Sequence, residues 1–134
     1  MKINRLDKVH SKIRQYCIDN NITLVYPREL SMCSHCRQYG RSVFIGNIEQ
    51  PDVLIAAFCH EVGHIELEKS RKFRKIISKI PKLQLEIMAW NKGLEIMYNN
   101  FNMTITNDIY QYMCFGLDSY ANFKTRKFGG NKNE

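Results

Sequence analysis

His60-Glu61-Val62-Gly63-His64 carries residue types at a spacing that could do chemistry in this chain of 134 residues. In a helix each residue advances about 100°, so His60 and His64 stand about 40° apart on one face, one turn apart. Their ring nitrogens can then converge on one zinc ion at ~2.0–2.1 Å. Glu61 lies beside that face, placed to take a proton from a metal-activated water without ligating the metal. That is the general-base role in metal-assisted hydrolysis. H-E-x-x-H on a helix therefore reads as a zinc site.

The surroundings favour a site over two ordinary core histidines. On a helical wheel Val53, Ala56, Ala57, His64 and Leu67 all fall within about 60° of His60, and Ile55, Phe58, Cys59 and Val62 make the opposite side apolar as well. A helix apolar nearly all round is a buried one, and two neighbouring imidazoles inside it are costly without a partner. Gly63 costs about 1 kcal/mol relative to Ala in mid-helix, which points to a close approach by another element.

A catalytic zinc needs a third protein ligand and one open position. The downstream candidates are Glu66, Glu68, Glu86, Glu95, Asp108 and Asp118. Glu66 and Glu68 sit too close on the same helix to swing onto the metal face. In the helix expected from Lys82 to about Tyr98, Leu83, Ile87, Trp90, Leu94 and Met97 form an apolar stripe. Glu86 borders that stripe and Glu95 falls about 120° from Leu83, away from it. A carboxylate at the edge of a core face needs a cation, and a zinc on the adjacent helix supplies one. The competing account has Glu86 reaching solvent or pairing with Lys82.

HEVGHI on a buried helix, followed by Glu86-Ile87-Met88-Ala89-Trp90 opening the next long helix, resembles the ImmA/IrrE-type zinc metallopeptidases of phages and mobile elements. The resemblance covers about residues 20–100, and its specific part is HExxH plus the downstream Glu. It implies a helix and short sheet ahead of the HExxH helix, Zn2+ held by His60, His64 and Glu86, and Glu61 as base. It also implies proteolysis of a specific protein partner, such as a transcriptional regulator or repressor. The alternative is a small basic zinc-containing module that binds DNA or a regulatory protein without proteolytic activity. Glu61 speaks against that alternative, because a structural zinc site has no use for it. Peptide hydrolysis further calls for a donor to the developing oxyanion. Tyr26, Tyr39, Tyr98, Tyr110 and Tyr112 are available, and the sequence does not choose among them.

Several elements must position these groups. Ile3, Leu6, Val9, Ile13 and Tyr16 have helical spacing and predict a helix over 3–19. Ile22–Tyr26 and Ser42–Gly46 read as strands around a polar stretch holding Cys33-Ser34-His35-Cys36 and Gly40. Pro51 opens a helix that runs to about Glu68, Pro81 separates it from the helix at 82–98, and Thr106 caps a last helix to about Tyr120. The sum is an α+β, helix-dominated single domain over 1–123. It has a two- to three-stranded sheet and a buried, zincin-like HExxH helix. Residues 124–134 read as a flexible basic tail.

The net charge of +7 and pI near 9.2 would ordinarily suggest a polyanionic partner. The excess is local. Lys69, Arg71, Lys72, Arg74, Lys75, Lys79 and Lys82 occupy one acid-free segment whose seven charges equal the whole net charge. That segment is either a solvated face or a docking surface for an acidic or nucleic-acid partner. Its only aromatic is Phe73, which leaves little for base stacking. Five cysteines and no continuous apolar signal or ~18-residue span predict reduced thiols, a cytoplasmic location and no membrane contact. Cys33 and Cys36 have the spacing of half a zinc knuckle or a redox pair, without the other half.

Overall fold

A computed structural model of the chain describes residues 5–26 and 35–129, with side chains described through Ala121. Among the described residues the fold has five α-helices and a small three-stranded mixed sheet, the helix-dominated α+β arrangement expected. Helix α1, Arg5–Asn20, buries Val9, Ile13 and Cys17 along one stripe. Asn21 at φ 57° turns the chain out of it, since Asn tolerates the left-handed region better than most residues. Strand β1, Thr23–Val25, pairs parallel with β3, Ser42–Phe44, and β2, Arg37–Tyr39, pairs antiparallel with β3. The order β1-β3-β2 puts β3 at the centre, with Val43 fully buried between Leu24 and Gln38. Gly40, at φ 58°, makes the tight β2–β3 turn. Cys33 lies outside the described residues, so half of the C-x-x-C pair does too.

Helix α2, Pro51–Leu67, has Pro in its first turn and an unbroken buried run from Val53 to Cys59. It is the central element: α1, the sheet, α4 and α5 all pack against it. Its partner in the closest contact is α4, Lys82–Phe101, which ends where Asn102 adopts φ 56° and donates its N–H to the Met97 carbonyl. The two helices meet backbone to backbone. A Cβ on Gly63 would lie 2.2 Å from the Ala89 carbonyl oxygen, and one on Gly93 would lie 2.7 Å from that of Cys59. The close approach expected at Gly63 is therefore real, and Gly93 reciprocates it.

That contact corrects the face expected on α4. Glu86, Ala89, Trp90, Gly93, Ile96, Met97 and Phe101 are buried, whereas Ile87 is 41% exposed and Leu83 and Leu94 are half-buried. The buried face is rotated by roughly 60° from Leu83, which makes Glu86 its middle rather than its border. The reason is steric. Backbones approach closest where side chains are smallest, so Ala89 and Gly93 carry the contact although neither adds to an apolar stripe.

Helix α3, Arg71–Ile76, and a 3-10 turn at Ile77–Lys79 link α2 to α4. Ser70 caps α3 by accepting the Phe73 N–H at 3.2 Å. Helix α5, Asn107–Gly129, begins at the expected cap: the Thr106 hydroxyl accepts the Ile109 N–H at 3.2 Å and donates to Asp52 at 2.7 Å. This ties the start of α5 to the start of α2. The helix continues past Tyr120 to Gly129, because Ala121, Lys124 and Arg126 are good helix formers and no Pro intervenes. Residues 130–134 of the expected tail lie outside the described residues. No described helix is long and apolar enough to cross a membrane.

Candidate metal centre

Helix α2 presents His60, Glu61 and His64, and the glycine contact brings α4 near enough for Glu86 to reach them. His60 Nε2 lies 3.0 Å from Glu86 Oε1, and His64 Nε2 lies 3.0 Å from Glu86 Oε2. One donor atom from each of the three falls within 4.8 Å of the others. Glu86 is 7% exposed and Glu61 is 8% exposed, so both carboxylates are buried. Glu86 therefore neither reaches solvent nor pairs with Lys82; its partners are the two imidazoles.

Burial works against charge on His60, but the adjacent Glu61 and Glu86 carboxylates outweigh it and hold the imidazole pKa up at about 9. Burial likewise opposes ionisation of Glu86, and the two histidines overcome it, drawing its carboxyl down to about 2. The cluster thus balances positive imidazole against negative carboxylate inside the protein. One atom is left over. His60 Nε2 is buried without a partner in hydrogen-bond geometry among the described residues, its 3.0 Å approach to Glu86 being misdirected for a hydrogen bond. Two imidazole nitrogens and a carboxylate converging on such a point can hold a divalent cation, which would displace the protons now shared there.

The His60 ring is held on three sides. Its Nδ1 lies 2.8 Å from Glu61 Oε2, its face stacks on the Trp90 indole at 4.4 Å with 8° between planes, and the His64 ring stands 5.0 Å away. Trp90 in turn meets the edge of Tyr112 at 6.2 Å. The sequence placed Trp90 on a buried stripe without giving it this part. The available signal was its position four residues after Glu86, one turn along the same face.

Above the cluster lies a cavity of about 630 Å³, within the size range of ligand sites. Its walls come from β2 with Cys36 before it, from Leu85 and Trp90 of α4, and from Tyr112, Phe115 and Tyr120 of α5. Gln38 Nε2 donates to Glu68 Oε2 at 2.9 Å, joining β2 to the end of α2 at the rim. Of the five tyrosines singled out, Tyr112 alone lines the cavity. Tyr26 is hydrogen-bonded to His10 at 2.9 Å, and Tyr39, Tyr98 and Tyr110 face solvent. Burial pushes the Tyr112 hydroxyl up, keeping it a donor. Tyr120 also lines the cavity, and sequence reasoning missed it. Only the placement of α5 across the cleft identifies it.

The structure sorts the basic segment. Lys69 pairs with Glu66. Arg74 donates to the carbonyls of Glu68 at 2.7 Å and Lys69 at 3.2 Å, satisfying the end of α2. Arg71, Lys72 and Lys75 are exposed, and Lys82 lines the cavity. No protein-family model, curated protein or solved structure matches this chain, so the site must be read from its own geometry.

Proposed function

We propose that the protein is a zinc-dependent peptidase that hydrolyses a peptide bond in a specific protein partner, such as a transcriptional regulator. The observation that carries this reading is the convergence of donor atoms from His60, His64 and Glu86 to within 4.8 Å of one another, with Glu61 beside them in the cavity lining. Among the described residues the group contains three donors, the number a catalytic zinc site takes from the protein. Zinc bound there supplies Lewis acidity, which polarises a carbonyl and makes water acidic enough to be deprotonated near neutral pH. Glu61, beside the donor set, would accept the attacking water's proton on its carboxylate and pass it to the leaving amine. Tyr112, kept protonated by burial, donates to the carbonyl oxygen as it gains charge. Tyr112, Phe115 and Tyr120 of α5 line one side of the cavity where a peptide would lie. We place the activity in the cytoplasm. Burial holds the Cys17 thiol up at about 11 and that of Cys59 well above its usual value, which suits inert, reduced cysteines.

One contact favours a second reading. Glu61 Oε2 at 2.8 Å from His60 Nδ1 is also what a carboxylate that merely orients a ligating imidazole would do, as in a zinc-containing binding module. Glu61→Gln separates the two. On the peptidase reading the variant retains one zinc per chain, while new protein N-termini produced by the wild type in native-host extract disappear from N-terminal mass spectrometry. If the variant generates the same N-termini, Glu61 is not the base. If zinc affinity instead falls about 10- to 100-fold and neither protein cleaves, the orienting role and the binding module remain.

A further inference from the structure

We propose that the exposed basic strip between the two ligand-bearing helices docks an acidic run of the polypeptide substrate beside the cavity. This rests on the peptidase reading and names its substrate class. Of the seven cations between Lys69 and Lys82, the fold uses two, Lys69 with Glu66 and Arg74 on the carbonyls ending α2. Arg71, Lys72, Lys75, Lys79 and Lys82 are exposed and make no ion pair among the described residues. Such clustered like charges repel one another, and an acidic partner would relieve the repulsion.

Their arrangement is directional. Phe73 is buried and Ile77 half-buried, anchoring the segment on its inner side. Lys72 and Lys75 stand one turn apart on α3, and Lys79 follows in the 3-10 turn that leads to Lys82. Ile77 and Lys82 both line the cavity above His60, His64 and Glu86. The strip therefore begins in solvent and ends at the lip of the site.

Two observations choose a polypeptide over nucleic acid. Phe73, the only aromatic in the segment, is buried and unavailable to stack on a base. On the peptidase reading, the strip also ends where a peptide would be cleaved, since Ile77 and Lys82 line the cavity. Inside the cavity the carboxylates of Glu61, Glu68 and Glu86 stand beside Arg37, Lys82 and the two histidines, whereas the strip carries cations alone and is where an acidic run is matched.

The test uses zinc-loaded Glu61→Gln protein and fluorescein-labelled peptides, one with a run of glutamates followed by uncharged residues and one with glutamines in their place. Anisotropy should show the glutamate peptide binding on the order of tenfold tighter at low salt, with the advantage shrinking as salt rises. Lys72→Glu/Lys75→Glu/Lys79→Glu should abolish the advantage. Lys72→Gln/Lys79→Gln, checked by circular dichroism, should reduce it even if the triple variant fails to fold. Equal binding of the two peptides overturns the proposal, and so does a duplex oligonucleotide that binds as tightly as the glutamate peptide. Zinc content, measured separately on the wild type, decides the metal site. A protein that binds the acidic peptide without zinc keeps the strip and loses the peptidase, and one that binds zinc but not the peptide does the reverse.

Discussion

The seam between α2 and α4 and the segment that links them contain comparable numbers of charged groups and treat them in opposite ways. In the seam, the buried carboxylates of Glu61 and Glu86 and the half-buried imidazoles of His60 and His64 are set against one another at 2.8–3.0 Å. In the link, Arg71, Lys72, Lys75 and Lys79 face solvent without an ion pair among the described residues. Burial explains the contrast. A charge out of water must be balanced where it stands, whereas one on the surface costs little to leave unmatched. A site that must hold its groups in fixed positions belongs in the first setting, and a surface that must meet another molecule belongs in the second. The seam should therefore respond strongly to small changes and the link weakly, in stability if not in binding.

The largest difference should come from the metal itself. On the proposed function, free zinc at about 1,000 times its dissociation constant stabilises the metal-free protein by roughly 4 kcal/mol, read as a rise in Tm by calorimetry. His64→Ala should remove nearly all of that gain, because the cluster loses a donor and Glu86 loses one of its two imidazole partners. An unchanged Tm in the wild type on adding zinc would remove the basis for the site.

Gly63→Ala comes next. Its Cβ would overlap the Ala89 carbonyl, a backbone atom that cannot rotate away, so the helices must separate. Denaturant unfolding should show a loss of about 3 kcal/mol, with weaker zinc binding as Glu86 is drawn from the histidines. Gly116→Ala on α5, where a Cβ meets nothing within 4 Å, is the control and should be neutral or stabilising by about 0.5 kcal/mol. Equal effects at the two glycines would deny the seam its special closeness.

A smaller effect is expected at Trp90, which holds the plane of the His60 ring. Trp90→Phe keeps an aromatic face and should leave zinc affinity within a few-fold. Trp90→Leu should cost about tenfold, or roughly 1.4 kcal/mol. Trp90 is the only tryptophan, so cobalt bound in place of zinc should quench the wild-type emission. Emission that ignores the metal would separate Trp90 from the site.

How much of this was legible beforehand follows the same division. The HExxH helix could be read because its apolar residues surround it and Pro51 marks its start, both local signals. Glu86 was found from the edge of a stripe, yet it sits at the middle of the buried face, because Ala89 and Gly93 make the contact and register as the absence of a side chain. Strand β2 was hidden in a polar stretch: Gln38 faces Val43 across the sheet and is itself polar, so no alternation announces it. Tyr112 could be separated from Tyr26, Tyr39, Tyr98 and Tyr110 only once α5 lay across the cleft. In the link the charges could be counted from sequence. That Lys69 and Arg74 are consumed by the end of α2 could not, since it depends on how the chain turns after Leu67.

The smallest expected effect is the sharpest check on the comparison. Lys72→Gln/Lys79→Gln removes two exposed cations that have no ion pair among the described residues, so unfolding free energy should change by no more than about 0.5 kcal/mol. Any shift should be toward greater stability, because relief of repulsion among like charges is the one electrostatic consequence left. That gain should fade as salt is raised through the range where the Debye length falls below about 8 Å. A loss of stability comparable to that of Gly63→Ala would mean that the link holds the fold together, and its charges could then no longer be read as kept for a partner.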